Sequence, residues 1–131
     1  MTVPQDLADW LEEYSAAFNA LDGDAVAELY VEPCQIVQGG RVAHWPDRAA
    51  VAANMRALCA QYRGQGYQQA HAEIRHCRML GEMNALLDVF WRVSRSGERS
   101  PWNFCTAYHL LRTAQGWQVL LCVAYEEMPL G

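Results

Sequence analysis

The sequence predicts an α+β domain in which three N-terminal helices cover one face of a long, curved, antiparallel-rich sheet. Three observations carry that prediction. Between Met83 and Glu126, apolar residues alternate with period two in three successive runs separated by turn signals. Before Gly66, apolar residues instead recur at spacings of three and four, as on helices with one buried stripe. The 131 residues suffice for a single domain, 1–131, with a substantial core.

In chain order, Leu7, Leu11, Tyr14, Phe18 and Leu21 form one helical stripe from Gln5 to about Leu21. Asp22-Gly23-Asp24 breaks it, and either aspartate can cap a short second helix carrying Val26, Leu29 and Tyr30, which Pro33 stops. Cys34 to Gln38 reads as a strand, Gly39-Gly40 as a turn, and Arg41 to His44 as a second strand. Asp47 is the predicted N-cap of a third helix with the stripe Val51, Met55, Leu58, Cys59 and Tyr62, ended by Gly64 and Gly66. Tyr67 to Leu80 is a long strand, polar enough for a sheet edge. Its faces conflict. Ile74 directs the even positions inward, His76 among them, whereas Cys77 and Met79 direct the odd ones inward.

The final meander sets Ala85, Leu87, Val89, Trp91 and Val93 on one face, then Trp102, Phe104, Thr106, Tyr108 and Leu110, then Trp117, Val119, Leu121, Val123 and Tyr125. Tight turns at Ser96-Gly97-Glu98-Arg99 and Thr113-Ala114-Gln115-Gly116 would place Trp91 opposite Phe104, Val89 opposite Thr106, and Thr106 opposite Val123. Tyr108 would lie between Leu87 and Leu121, Cys105 opposite Ala124, and Cys122 opposite Ala107. Leu86, Phe90, Leu111, Leu120 and Cys122 would face outward, and that much apolar surface predicts a homodimer through the outer sheet face.

A net charge of −5 and a pI near 5.2 argue against a nucleic-acid partner. No apolar run reaches the length of a bilayer span, so no membrane partner is expected. The acidic N-terminus lacks the basic n-region of a signal peptide. The five cysteines contain no Cys-x-x-Cys pair and read as reduced structural thiols, which places the chain in the cytoplasm. His44, His71, His76 and His109 include no pair at helical metal-ligand spacing, and neither a metal nor another cofactor is expected.

The run from Tyr14 through Phe18, Asn19 and Asp22 to Asp24, the following Leu29-Tyr30, and the closing Gly116-Trp117-Gln118-Val119-Leu120-Leu121 resemble nuclear transport factor 2-like proteins. That superfamily includes ketosteroid isomerases and polyketide cyclases of the SnoaL type. The resemblance covers nearly the whole chain in element order. It implies a cone-shaped sheet, the cystatin-like α+β roll, wrapped around a pocket roofed by helices.

It also implies site residues. Tyr14 matches the oxyanion-hole tyrosine of the ketosteroid isomerases, and Tyr108 the protonated aspartate that donates a second hydrogen bond. Gln38 stands where that family has its aspartate base, and an amide cannot accept a proton from carbon. Asn19 replaces the aspartate that pairs with a histidine in dehydratase relatives. Catalytic candidates are therefore Tyr14, Tyr108 and His76, the last as the base; His44 ranks below it. Ligand contacts are expected from Tyr14, Phe18, Asn19, Gln38, Trp91, Phe104, Thr106, Tyr108 and Tyr125.

With two phenols, one amide and no carboxylate among Tyr14, Tyr108 and Gln38, the site suits a neutral oxygen on a small hydrophobic ligand. The first functional reading is a protein that binds an apolar cyclic or aromatic molecule. The second is an isomerase, dehydratase or cyclase using Tyr14, Tyr108 and a histidine. The third is a non-catalytic dimeric adaptor whose outer sheet face does the work.

Overall fold

A computed structural model describes residues 2–97 and 99–129. Helix α1 (Gln5–Asn19) buries Leu7, Trp10, Leu11, Tyr14 and Ala17 along the stripe that its spacing predicts. The short α2 (Gly23–Ala27) is capped by Asp22, whose carboxylate accepts from the Ala25 N–H at 3.1 Å. Helix α3 (Arg48–Gly64) starts at the predicted cap, Asp47, which accepts from the Ala50 N–H at 2.8 Å. Gly23 lets α2 lie directly on α3. A Cβ there would fall 2.5 Å from the Arg56 amide nitrogen.

The strands are β1 (Tyr30–Gln38), β2 (Arg41–Trp45), β3 (Tyr67–Leu80), β4 (Asn84–Arg95), β5 (Trp102–Thr113) and β6 (Gly116–Pro129). They form one open sheet in the order β2-β1-β6-β5-β4-β3, in which only β1 and β6 run parallel. The long polar strand β3 is an edge, as its composition predicts. Core residues of the helices and the inner sheet face form one continuous cluster. Glu98 of the predicted hairpin turn lies outside the described residues, as do Met1, Leu130 and Gly131; Gly97 in that turn has a positive φ of 71°.

Three local expectations are corrected. Pro33 does not stop α2; the helix has already ended at Ala27, and Pro33 lies within β1, which starts at Tyr30. The conflict of faces in β3 is resolved by a bulge. Ile74 pairs with Val89 but His76 with Asp88, so Arg75 is the extra residue and Ile74, Cys77 and Met79 all pack on the core. A second bulge falls in β6, where Leu110 pairs with Val119 but His109 with Leu121.

The β4–β5 register is as predicted, with Trp91 opposite Phe104, Val89 opposite Thr106 and Leu87 opposite Tyr108. From Leu121 to Tyr125 the faces are reversed relative to a strict alternation, and a further irregularity follows before Met128. Thr106 meets Ala124, Tyr108 meets Cys122, and Cys105 meets Tyr125. Cys122 is therefore buried in the core and contributes nothing to the outer face.

Candidate functional site

A cavity of about 820 Å³ lies between the inner face of the sheet and helices α1 and α3. Its floor is built from three phenols on three separate elements. Tyr14 comes from the buried stripe of α1, Tyr30 from the first residue of β1, and Tyr108 from the inner face of β5. Each is at most 3% exposed. The Tyr30 backbone is held from two sides. Its carbonyl accepts from Arg48 Nη2 at 2.8 Å, and the Val119 N–H donates to the preceding Leu29 carbonyl at 2.8 Å. Arg48 is itself paired with Glu32 at 3.1 Å.

The hydroxyls of Tyr14 and Tyr30 are hydrogen-bonded at 2.8 Å, and the rings of Tyr14 and Tyr108 meet edge to face with centroids 5.3 Å apart. Burial pushes all three phenol pKa values well above the ordinary range; the neighbouring Tyr30 reinforces this at Tyr14, and Cys122 at Tyr30. Burial also raises the Cys122 thiol to about 12. At neutral pH the floor is thus uncharged. It offers hydroxyls that can donate a hydrogen bond, and none of them is a base.

The walls are aromatic. Trp91 and Phe104 stack at 6.2 Å, and Tyr62 stacks on Tyr67 at 5.6 Å while meeting Trp102 edge to face at 4.8 Å. Thr106 adds one polar group, but its hydroxyl already accepts from the Trp91 indole N–H at 2.8 Å. That bond fixes the Trp91 ring against the inner face. Gln38, Arg41, Val42 and Gln61 are exposed at the rim. Among the described lining residues there is no aspartate, glutamate or histidine; the charged ones are Arg41 and Arg95.

Of the residues predicted from sequence, Tyr14, Phe18, Gln38, Trp91, Phe104, Thr106 and Tyr108 line this cavity together. Gln38 lies at the exposed end of β1, apart from the buried phenols. Asn19, Tyr125 and His76 do not line it. Asn19 Oδ1 accepts from the Ala70 N–H at 2.8 Å and from the Tyr67 hydroxyl at 2.7 Å, so this side chain ties the end of α1 to β3.

Tyr125 is turned to the outer face by the β6 bulge, where its hydroxyl donates to the Asp88 carboxylate. His76 is turned outward by the β3 bulge and is exposed opposite Asp88. His44 is exposed and does not line the cavity either. His109 is on the outer face, where its Nε2 meets Asn84 Oδ1 at 2.8 Å. Among the described residues, no three His, Cys, Asp or Glu side chains converge as a metal site.

Sequence reasoning missed Tyr30, Trp102, Arg41 and Arg95 as lining residues. For Arg41 a signal existed. The Gly39-Gly40 turn pairs Gln38 with Arg41, and period two from there puts Arg41, Ala43 and Trp45 on one face.

The family model described as NTF2-like protein (DUF6841) matches residues 5–127. The chain belongs to this NTF2-like family. No curated protein matches it. Among solved structures it is similar to a domain with a cystatin-like fold from Nostoc punctiforme, with a TM-score of 0.76 and 18% identity, covering 98% of this chain and 82% of that one. It is similar to an NTF2-like protein from Shewanella oneidensis, with a TM-score of 0.75, 16% identity and coverage of 93% and 98%. A ketosteroid isomerase-like protein from Erwinia carotovora atroseptica matches with a TM-score of 0.69 at 18% identity, covering 89% of this chain and 90% of that one. At these identities the likeness is one of fold. The cone-shaped α+β architecture expected of NTF2-like proteins is thereby established, with the sheet left open between β2 and β3.

Proposed function

We propose that this NTF2-like domain binds a small apolar, cyclic or aromatic molecule and holds a polar oxygen of that molecule on its phenol floor. The single observation that carries the reading is the cavity of about 820 Å³, whose aromatic walls stand over three buried phenols. A cavity of this size and lining suits one ring-containing ligand. Proton transfer from carbon needs a base, and no carboxylate or imidazole stands among the described lining residues. The isomerase, dehydratase or cyclase reading is therefore the weaker one, since His76 faces away from Tyr14 and Tyr108.

The test is a titration of tryptophan fluorescence with a naphthol and with a phenolic steroid. Saturable quenching is expected. Tyr108→Phe should weaken binding by about 0.5–1.5 kcal/mol, the net worth of one neutral hydrogen bond. A steroid enone should bind without isomerising. No saturable binding by either phenol would overturn the reading.

For assembly, the outer sheet face supports a homodimer. Leu86 is 41% exposed, and Ala107, Leu121 and Val123 line a shallow outer cleft beside it. Burying such a surface favours association, although lost freedom offsets part of the gain. Light scattering should give twice the chain mass, and Leu86→Glu should give the monomer. A wild-type monomer at micromolar concentration would leave the outer face without this role. The five free cysteines support a reducing compartment, the cytoplasm, and no helix among the described residues is long and apolar enough to cross a membrane.

A further inference from the structure

We infer that the molecule held in this cavity carries a carboxylate at the end away from its buried oxygen, and that Arg41 at the rim recognises it. This rests on the reading of the cavity as a ligand site and adds the chemical class of the ligand. The first support is the charge of the lining. The chain has 15 aspartates and glutamates against 10 arginines, yet among the described residues the charged ones on the cavity are Arg41 and Arg95. An acidic protein thus surrounds its cavity with positive charge and carboxamides, against its own background.

The second support is how the two arginines on the cavity are engaged. Arg95 donates from Nε to the Ser100 carbonyl at 2.9 Å and from Nη1, at a long 3.5 Å, to the Gln65 carbonyl. Those bonds tie the end of β4 to the loop before β5 and to the end of α3, so Arg95 is anchored and contributes mainly its field. Arg41 differs. Among the described residues its guanidinium has no hydrogen bond or ion pair, and it is exposed.

Position supplies the third support. Gln38 pairs with Arg41, Ile36 with Ala43, and Cys34 with Trp45. Ile36, Ala43 and Trp45 line the cavity on the same side of the β1–β2 ribbon as Arg41, so the arginine stands over the mouth and not behind the sheet. A guanidinium presents paired N–H donors that match a carboxylate.

The two ends of the site then demand different chemistry. The floor is buried and uncharged, so an anion there would lose its hydration without a countercharge. The rim is wet and cationic, so an anion there keeps water and gains Arg41. A ligand with a hydroxyl or carbonyl at one end and a carboxylate at the other is oriented by this difference alone.

The experiment compares two ring-matched probes by fluorescence titration at neutral pH: a naphthol, and the hydroxynaphthoate that carries a carboxylate on the far ring. In the wild-type protein the hydroxynaphthoate should bind more tightly, by up to about fivefold, the upper end for an ion pair in contact with solvent. High salt should shrink that advantage. Arg41→Gln should abolish the difference between the two probes, and Arg41→Glu should reverse it. Equal binding of the two probes by the wild type, or an advantage that survives in Arg41→Gln, would overturn the inference while leaving the ligand-site reading intact. Failure of both probes to bind would overturn both.

Discussion

The phenol oxygens of Tyr14 and Tyr30 lie 2.8 Å apart, joining the middle of α1 to the first residue of β1 beneath a cavity. Both side chains are buried and carry no charge at neutral pH, so the bond is worth what a neutral pair is worth. Tyr30→Phe should lower stability by about 0.5–1.5 kcal/mol, read from the midpoint of a urea melt.

The same phenols set an alkaline limit. Tyr14, Tyr30 and Tyr108 hold their protons more tightly in the folded chain than in the unfolded one, whose tyrosines titrate near 10.0. Their contribution is fully present below that pH and is lost as pH rises toward the folded values. Burial raises the Cys34 thiol from 9.0 to about 11 and the Cys122 thiol to about 12, so they start the same loss earlier. Urea melts across a pH series should show no loss from these groups below about pH 9 and a progressive loss above it. An absorbance titration in which all three phenols ionise near pH 10 without unfolding would contradict this.

Asn19 is expected to matter for stability more than for ligand affinity. Asn19→Ala strands the Ala70 N–H, which it now satisfies at 2.8 Å. The expected cost is about 1–3 kcal/mol for an unsatisfied buried donor. Asn19→Asp keeps that acceptor and should cost less. Thermal unfolding of the two variants ranks them.

Gly23→Ala should be among the most harmful single-methyl changes in the helices. The added Cβ would sit 2.5 Å from the Arg56 nitrogen and 2.7 Å from the Met55 carbonyl carbon, both backbone atoms that move only if α2 and α3 separate. A loss of about 1–3 kcal/mol is expected from such overpacking. Gly40→Ala, with nothing within 4 Å of the new methyl, is the matched control.

All five thiols should react with an aromatic disulfide reagent in denatured protein under non-reducing conditions, because all five cysteines are free. In native protein Cys34 and Cys122 should react slowly, since burial disfavours the thiolate that attacks. Fewer than five reactive thiols after denaturation would reveal a disulfide.

By itself the sequence determined the class of fold, the helical stripes and the Asp47 cap, the strand β3 over Tyr67–Leu80, and the β4–β5 register; of the two candidate caps of α2, the structure chose Asp22. Those the sequence determined follow from local signals: periodicity, capping side chains and a tight turn. It also led to Tyr14, Phe18, Gln38, Trp91, Phe104, Thr106 and Tyr108, which share the cavity. Only the tertiary structure decided the rest. A bulge adds one residue and turns over the side chains beyond it; in β3 it showed only as the conflict between Ile74 and the pair Cys77 and Met79, which the sequence could not resolve, and in β6 no such conflict showed. Arg75 in β3 sends His76 outward, and the irregularity between Val119 and Leu121 in β6 brings Cys122 inward and turns Tyr125 outward. Tyr30 reaches Tyr14 from 16 residues away because α2 ends before it and Arg48 and Val119 hold the chain there. That relation depends on the sheet closing over the helices, and no local window of the sequence contains it.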